Sequence, residues 1–227
     1  KTPTESDGGE EVVARNIAAL VERLLLAVGL QKGDVVGIGM GVPGMIDSKA
    51  GNVIYSNNLK WKDFRIGEKV RQLTGLRVKI ANDANAAAYG EAVAGAARGS
   101  SDSIMVTLGT GVGGGIILGG KILTGFNHAA GEIGHIVIET NGAQCGCGRR
   151  GCWEAYSSAT GLSNMTKEKM TELKLKNVPS LLFDESEREG KVSARTAFNA
   201  MKRGDAAGKE LVDKYIFYLA EGITNMI

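Results

Sequence analysis

No apolar run in the 227-residue sequence approaches the roughly 20 residues needed to cross a bilayer. The opening stretch KTPTESDGGEE also lacks the basic-then-apolar pattern of an export signal. Taken as the true start of the chain, it points to the cytosol. There is no excess of either charge: 27 Lys and Arg face 25 Asp and Glu, for a formal net charge of +2. That balance leaves no electrostatic footprint for nucleic acid or an anionic membrane and favours a small neutral ligand. Cysteine is scarce, with three in all, every one between positions 145 and 152. An odd, tightly clustered set argues for a metal rather than a disulfide framework. Internal repeats and low-complexity linkers are absent as well.

The composition that remains is globular. Hydrophobic residues make up 43% of the chain, enough to bury one large core or two modest ones without staples. Glycine is abundant, at 33 residues, and much of it is clustered, as expected where backbone approaches a ligand closely. Apolar residues at three- and four-residue spacing (Val13, Ile17, Leu20, Leu24, Val28) predict an amphipathic helix over 10–30, ended by Gly29 or Gly33. A short buried strand follows over 34–40, then the turn GVPG at 41–44. Residues 66–74 read as a helix, 77–81 as a strand, and 84–97 as a small-residue helix that Asn82 or Asp83 could cap. Further helices are expected over 165–174, 192–203 and 208–225, with polar loops around Pro179 and Gly204.

Between these lie two apolar runs, 103–108 and 115–118, joined by Gly109-Thr110-Gly111-Val112-Gly113-Gly114. No helical pattern follows the glycines, so this is a hairpin signal and not a Walker or dinucleotide-binding loop, whose phosphate sits on a helix N-terminus. A phosphate held here would meet the amides of a β-turn and the Thr110 hydroxyl. A tight hairpin with no ligand fits the same residues.

Three groups could carry chemistry. His135, Cys145, Cys147 and Cys152 provide four ligands of the types and number that close a tetrahedral zinc site with no open position, which is a structural site. A reduced thiol cluster or a strained local disulfide is the alternative, although a Cys-x-Cys bridge would be badly strained. Asp83, in NDANAAA, stands where a strand passes into a helix of small residues; it is either a helix cap or an acid facing a cleft, and the two are compatible. Glu132 and Glu154 flank the thiol-rich stretch and, taken alone, read as solvated surface acids.

In order along the chain, GVPG (41–44), NDANAAAYGE (82–91), LGTGVGGG (108–115), GEIGH (131–135) and CGCGRRGCWE (145–154) resemble the motif series of the ROK family of bacterial sugar kinases and repressors. The combination is far more specific than any single piece. GCWEAYSSATG further resembles the glucokinase branch. The resemblance implies an actin-like, ribonuclease H-like α/β fold of two lobes, here 1–100 and 101–227 with the boundary near Gly99 and Ser100, and a homodimer. It implies that Asp83 is the catalytic base and that Asn82, Glu132, His135, Glu154 and the backbone at Gly44 bind sugar hydroxyls. Gly109, Thr110, Gly111 and Gly113 would hold the phosphates of ATP, with Mg²⁺ neutralising their charge. His135, Cys145, Cys147 and Cys152 would bind zinc. The implied reaction moves the γ-phosphate of ATP to the 6-hydroxyl of glucose.

Two parts of the family pattern are missing. Family kinases open on an Asp-x-Gly-Gly-Thr turn and carry a later glycine-rich adenosine motif, so the sequence reads as an internal portion of a longer protein and, alone, as a poor kinase. The alternatives are a sugar-responsive repressor, for which no helix-turn-helix precedes Glu10, a catalytically dead sugar binder, or a kinase for N-acetylglucosamine, N-acetylmannosamine, fructose or allose.

Overall fold

In the computed structural model, which describes residues 2–227, the three- and four-residue apolar spacing forms helix α1 (Glu10–Val28). Gly29 closes it in the left-handed conformation, its N–H bonding back to the carbonyls of Leu25 and Leu26. The chain then forms β1 (Ile38–Val42), β2 (Met45–Asp47), β3 (Asn52–Ser56), β4 (Trp61–Phe64), α2 (Ile66–Thr74), β5 (Val78–Asn82) and α3 (Asp83–Ala94). These belong to a first compact unit, residues 2–103 with Gly115–Gly131. Its core is a cluster that includes Val13, Val42, Val53, Trp61, Ile66, Val70 and Ile80.

Strand β1 begins later than the expected 34–40, because residues 32–34 wind into a 3-10 turn held by the Asp34 carboxylate accepting from the Gln31 N–H at 2.7 Å. β1 and β5 pair in parallel with Val42 opposite Asn82, so their C-terminal ends lie side by side. β2, β3 and β4 form an antiparallel sheet that the sequence reading missed. Each strand has three to five residues, and the pairing of β2 with β3 shifts register between Met45 and Ile46, so no alternating pattern has room to develop.

The expected hairpin is formed by β6 (Ser103–Leu108) and β7 (Val112–Leu118), and β8 (Lys121–Ile122) adds to the far side of β7. Ile104–Gly114 and Glu132–Ile227 make the second compact unit. It contains α4 (Glu154–Ser157), α5 (Ala159–Leu175), α6 (Leu181–Glu189), α7 (Ala194–Lys202) and α8 (Ala206–Thr224) around Leu162, Leu173, Leu182, Ala197, Ala200 and Leu211. Ser158, Ser180, Ser193 and Asp205 cap α5 to α8 through their side chains. Helix α6 replaces part of the loop expected around Pro179. Its sequence LLFDESERE looks solvated, yet Glu185 is fully buried because Arg188 and Arg203 both reach its carboxylate. Among the described residues no helix is long and apolar enough to cross a membrane.

Candidate functional site

The parallel pairing of β1 with β5 places the GVPG turn beside the start of α3. Gly41 approaches Asp83 so closely that a Cβ there would lie 3.3 Å from the Asp83 Cα. Three residues on, Gly44 adopts φ 111°, which L side chains rarely reach, and a Cβ would overlap the Tyr55 carbonyl. The Gly44 carbonyl accepts from Asn82 Nδ2 at 3.0 Å, while Asn82 Oδ1 accepts from the Asn85 N–H at 3.0 Å. Asn82 is therefore the helix cap, and Asp83 is left at the first helical position with its side chain exposed. Asp83 Oδ1 accepts from the Ala84 N–H at 3.0 Å, and Oδ2 has no protein donor among the described residues. Gly44, Asn82 and Asp83 are thus together at the carboxyl ends of two parallel strands, the edge at which open α/β sheets bind ligands.

In the second unit, the ligand atoms of His135, Cys145, Cys147 and Cys152 all lie within 4.8 Å of one another. Cys145 Sγ is 3.6 Å from His135 Nδ1, and the Sγ atoms of Cys147 and Cys152 are 3.7 Å apart. One tetrahedral zinc bound by thiolate and imidazole puts N and S about 3.6 Å apart and two S atoms about 3.8 Å apart. The donor set and its spacing fit that ion. Bridges pairing Val137 with Cys152 and Gln144 with Arg150 fold the loop back on itself. Burial pushes the Cys145 thiol up to about 12 and raises Cys152; on Cys147 burial acts upward too, but the Arg149 amide and the neighbouring thiols outweigh it and lower the value.

With Nδ1 of His135 turned to the thiols, Nε2 faces the Glu132 carboxylate at 4.0 Å. Glu154 is half-buried and spans two features: Oε1 lies 3.8 Å from Cys145 Sγ, and Oε2 accepts from the Val112 N–H at 2.9 Å. The glutamate read from the sequence as a sugar ligand is therefore also attached to the glycine-rich hairpin. The intervening Trp153 is fully buried, its Nε1 donating to the Tyr218 carbonyl on α8 at 3.0 Å. Tyr156 stacks on Tyr218, and its hydroxyl accepts from the Ala143 N–H at 2.6 Å. This bracing was not anticipated, although the pair of aromatics in CWEAY is the signal that could have shown it.

The hairpin turn is itself held by the start of α5. The Ala159 N–H donates to the Gly109 carbonyl at 2.9 Å, and Thr160 Oγ1 donates to the Thr110 carbonyl at 2.7 Å. The Gly109 N–H donates to the Gly111 carbonyl at 3.0 Å. Gly113 continues into β7.

A family model described as ROK family matches residues 1–227. The chain belongs to the ROK family. The glucokinase of Halalkalibacterium halodurans is 40% identical over 225 residues, 99% of this chain and 67% of that protein. The xylose repressor of Bacillus subtilis is 34% identical over 195 residues, 85% of this chain and 45% of that protein. Among solved structures, a ROK family glucokinase from Streptomyces griseus in complex with glucose and AMPPNP superposes with a TM-score of 0.79 at 33% identity, covering 99% of this chain and 69% of the other. The fold is thus the actin-like, ribonuclease H-like α/β fold of the ROK sugar kinases.

Proposed function

We propose that this ROK protein is an ATP-dependent hexose kinase that phosphorylates the 6-hydroxyl of glucose, with Asp83 as the general base. The observation that carries this is the placement of the exposed Asp83 beside the GVPG turn, with one carboxylate oxygen that has no protein donor among the described residues. A general base needs such an oxygen within hydrogen-bond reach of the proton that it removes. Glucokinase relatives and a glucokinase structure with glucose and AMPPNP support the same reading.

In this reading the uncharged sugar is recognised by carboxylate and amide groups that hydrogen-bond its hydroxyls: Asn82, Asp83, Glu132, His135, Glu154 and the backbone at Gly44. A site of this kind penalises a hexose with a misplaced hydroxyl, because one of its polar groups is then left unpaired. Zinc, when bound by His135, Cys145, Cys147 and Cys152, supplies no reactive chemistry; it cross-links the loop. His135 coordinated through Nδ1 has a fixed tautomer and keeps Nε2 as a donor. The turn at Gly109, Thr110, Gly111 and Gly113 cradles phosphate, and Mg²⁺ accompanies the nucleotide. Positioning and electrostatics supply most of the acceleration, as is general for phosphoryl transfer.

The test is a coupled assay with ATP across a hexose panel on the full-length protein and its Asp83→Asn variant. Fastest turnover with glucose, together with a variant that keeps glucose affinity and loses nearly all turnover, is the expected result. Near-normal turnover in Asp83→Asn removes Asp83 from its role. The repressor relatives motivate a second reading, sugar binding without phosphoryl transfer, and tight glucose binding with no product at saturating MgATP would favour it.

A further inference from the structure

We infer that Thr160 is a positioning residue that aims the phosphate-binding amides of the turn at 109–112, an inference that rests on the proposed role of that turn. The chain contains no cis peptide among its described residues, and in a trans peptide the carbonyl of one residue and the N–H of the next point in opposite directions. Fixing a carbonyl therefore fixes the direction of the following amide.

Applied along the turn, this rule separates its donors into two classes. The Gly109 N–H is bonded to the Gly111 carbonyl, and the Val112 N–H is bonded to Glu154 Oε2. The two between them, on Thr110 and Gly111, have no protein acceptor among the described residues. Their partner carbonyls, on Gly109 and Thr110, are the two that α5 holds, through the Ala159 N–H and the Thr160 hydroxyl. Both open amides consequently point away from α5. Two successive amides aimed to one side make an anion-binding concavity.

The first of these holds is backbone and does not depend on any side chain. The second depends on a side chain, and among the described residues Thr160 alone makes it. The Thr160 hydroxyl serves no cap, since Ser158 Oγ already accepts from the Gly161 N–H at 2.9 Å. Helix α5 itself offers the phosphate little beyond the Thr160 N–H, because the amides of Ala159, Gly161 and Leu162 are engaged by Gly109 and Ser158. In Walker loops the helix N-terminus binds the phosphate; here it orients the turn that does so. Close packing at the next residue is consistent with a fixed turn, since a Cβ on Gly111 would overlap the Glu154 carboxylate.

The experiment uses the full-length protein with Mg·AMPPNP as the probe, with backbone amide resonances, nucleotide affinity, glucose affinity, zinc content and melting temperature as readouts. In the wild type the Thr110 and Gly111 amides shift on addition of Mg·AMPPNP. Thr160→Val weakens nucleotide binding and kcat/KM for ATP by about 3- to 10-fold, the scale of one hydrogen bond. Glucose affinity and zinc content stay at wild-type levels, and Thr160→Ser, which keeps the donor, restores nucleotide binding. Unchanged nucleotide affinity in Thr160→Val, with the wild-type amide shifts present, overturns the inference and leaves the phosphate reading intact. Equal losses of glucose and nucleotide affinity in Thr160→Val, or a Thr160→Ser variant as weak as Thr160→Val, overturn it too, because packing rather than aim would then be at stake. Absence of any Thr110 or Gly111 shift in the wild type at saturating Mg·AMPPNP removes the phosphate reading and the inference with it.

Discussion

Asn82 Nδ2 donates to the carbonyl of Gly44 at 3.0 Å, joining two motifs 38 residues apart through one side chain. The other end of the same amide caps α3 by accepting from the Asn85 N–H. One residue thus fixes both the turn after β1 and the first turn of the helix that carries Asp83. Asp83 is freed from the capping role by its neighbour, which leaves a carboxylate oxygen for other work.

Asn82→Asp and Asn82→Ala should separate these two duties. Asp keeps an acceptor for the Asn85 N–H but turns an oxygen toward the Gly44 carbonyl, so glucose affinity falls and stability drops by about 1 kcal/mol, the scale of the lost Gly44 bond. Ala removes the cap as well and should cost about 1 kcal/mol more, the usual value of a lost cap. Thermal melting with glucose titration checks this, and equal stability of the two variants would argue against the cap assignment.

Cys147 is the exposed member of the thiol set, and its Sγ lies 3.7 Å from that of Cys152. Cys147→Ser leaves the fold of the second unit's helices untouched but removes one of four zinc ligands. Metal content by elemental analysis should fall, and the melting temperature and glucose affinity should fall with it. Full activity in protein verified to be free of zinc would refute the bracing role given to the metal.

Long periodic segments were legible from sequence: α1, α2 and α8 were expected within a few residues of where they lie. So was the thiol cluster, because its ligand types and spacing are local. The β2–β4 sheet was not legible, since three- to five-residue strands with a register shift carry no readable alternation. Nor were the contacts that shape the site. Glu154 with Val112 is a pairing across 42 residues, and Thr160 with Thr110 one across 50. Each is made by a polar residue that looks solvated until tertiary folding supplies its partner.

Gly222→Ala sets two opposing effects against each other. In an open helix the change stabilises by about 1 kcal/mol. On α8 the added Cβ would fall inside the buried Trp153 ring, and overpacking of that kind costs about 1–3 kcal/mol or more. The clash should win, lowering the melting temperature and, because Trp153 lies between Cys152 and Glu154, weakening zinc retention. Gly90→Ala on α3 meets no atom within 4 Å and should stabilise instead. A stabilised Gly222→Ala would show that α8 yields to the ring without strain.

Glu185 supplies a pH-dependent test of why α6 forms at all. Its carboxylate is fully buried, accepts from Arg203 Nη1 at 2.7 Å and pairs with Arg188. The hydrogen bond from Arg203 holds it below the ordinary value of 4.5, against the opposing effect of burial, with the Arg188 charge adding to the lowering. A depressed folded-state value means that the unfolded chain takes up the proton first as the solution is acidified. The stabilisation is therefore complete above about pH 5 and is lost as pH falls through 4.5 toward the folded-state value. Glu185→Gln cannot titrate, so the gap in melting temperature between wild type and variant should be level near neutrality and shrink on acidification below about pH 4.5. A gap that stays constant down to about pH 3 would mean that the two arginines confer no preference for the ionised form, and α6 would need another reason to be a helix.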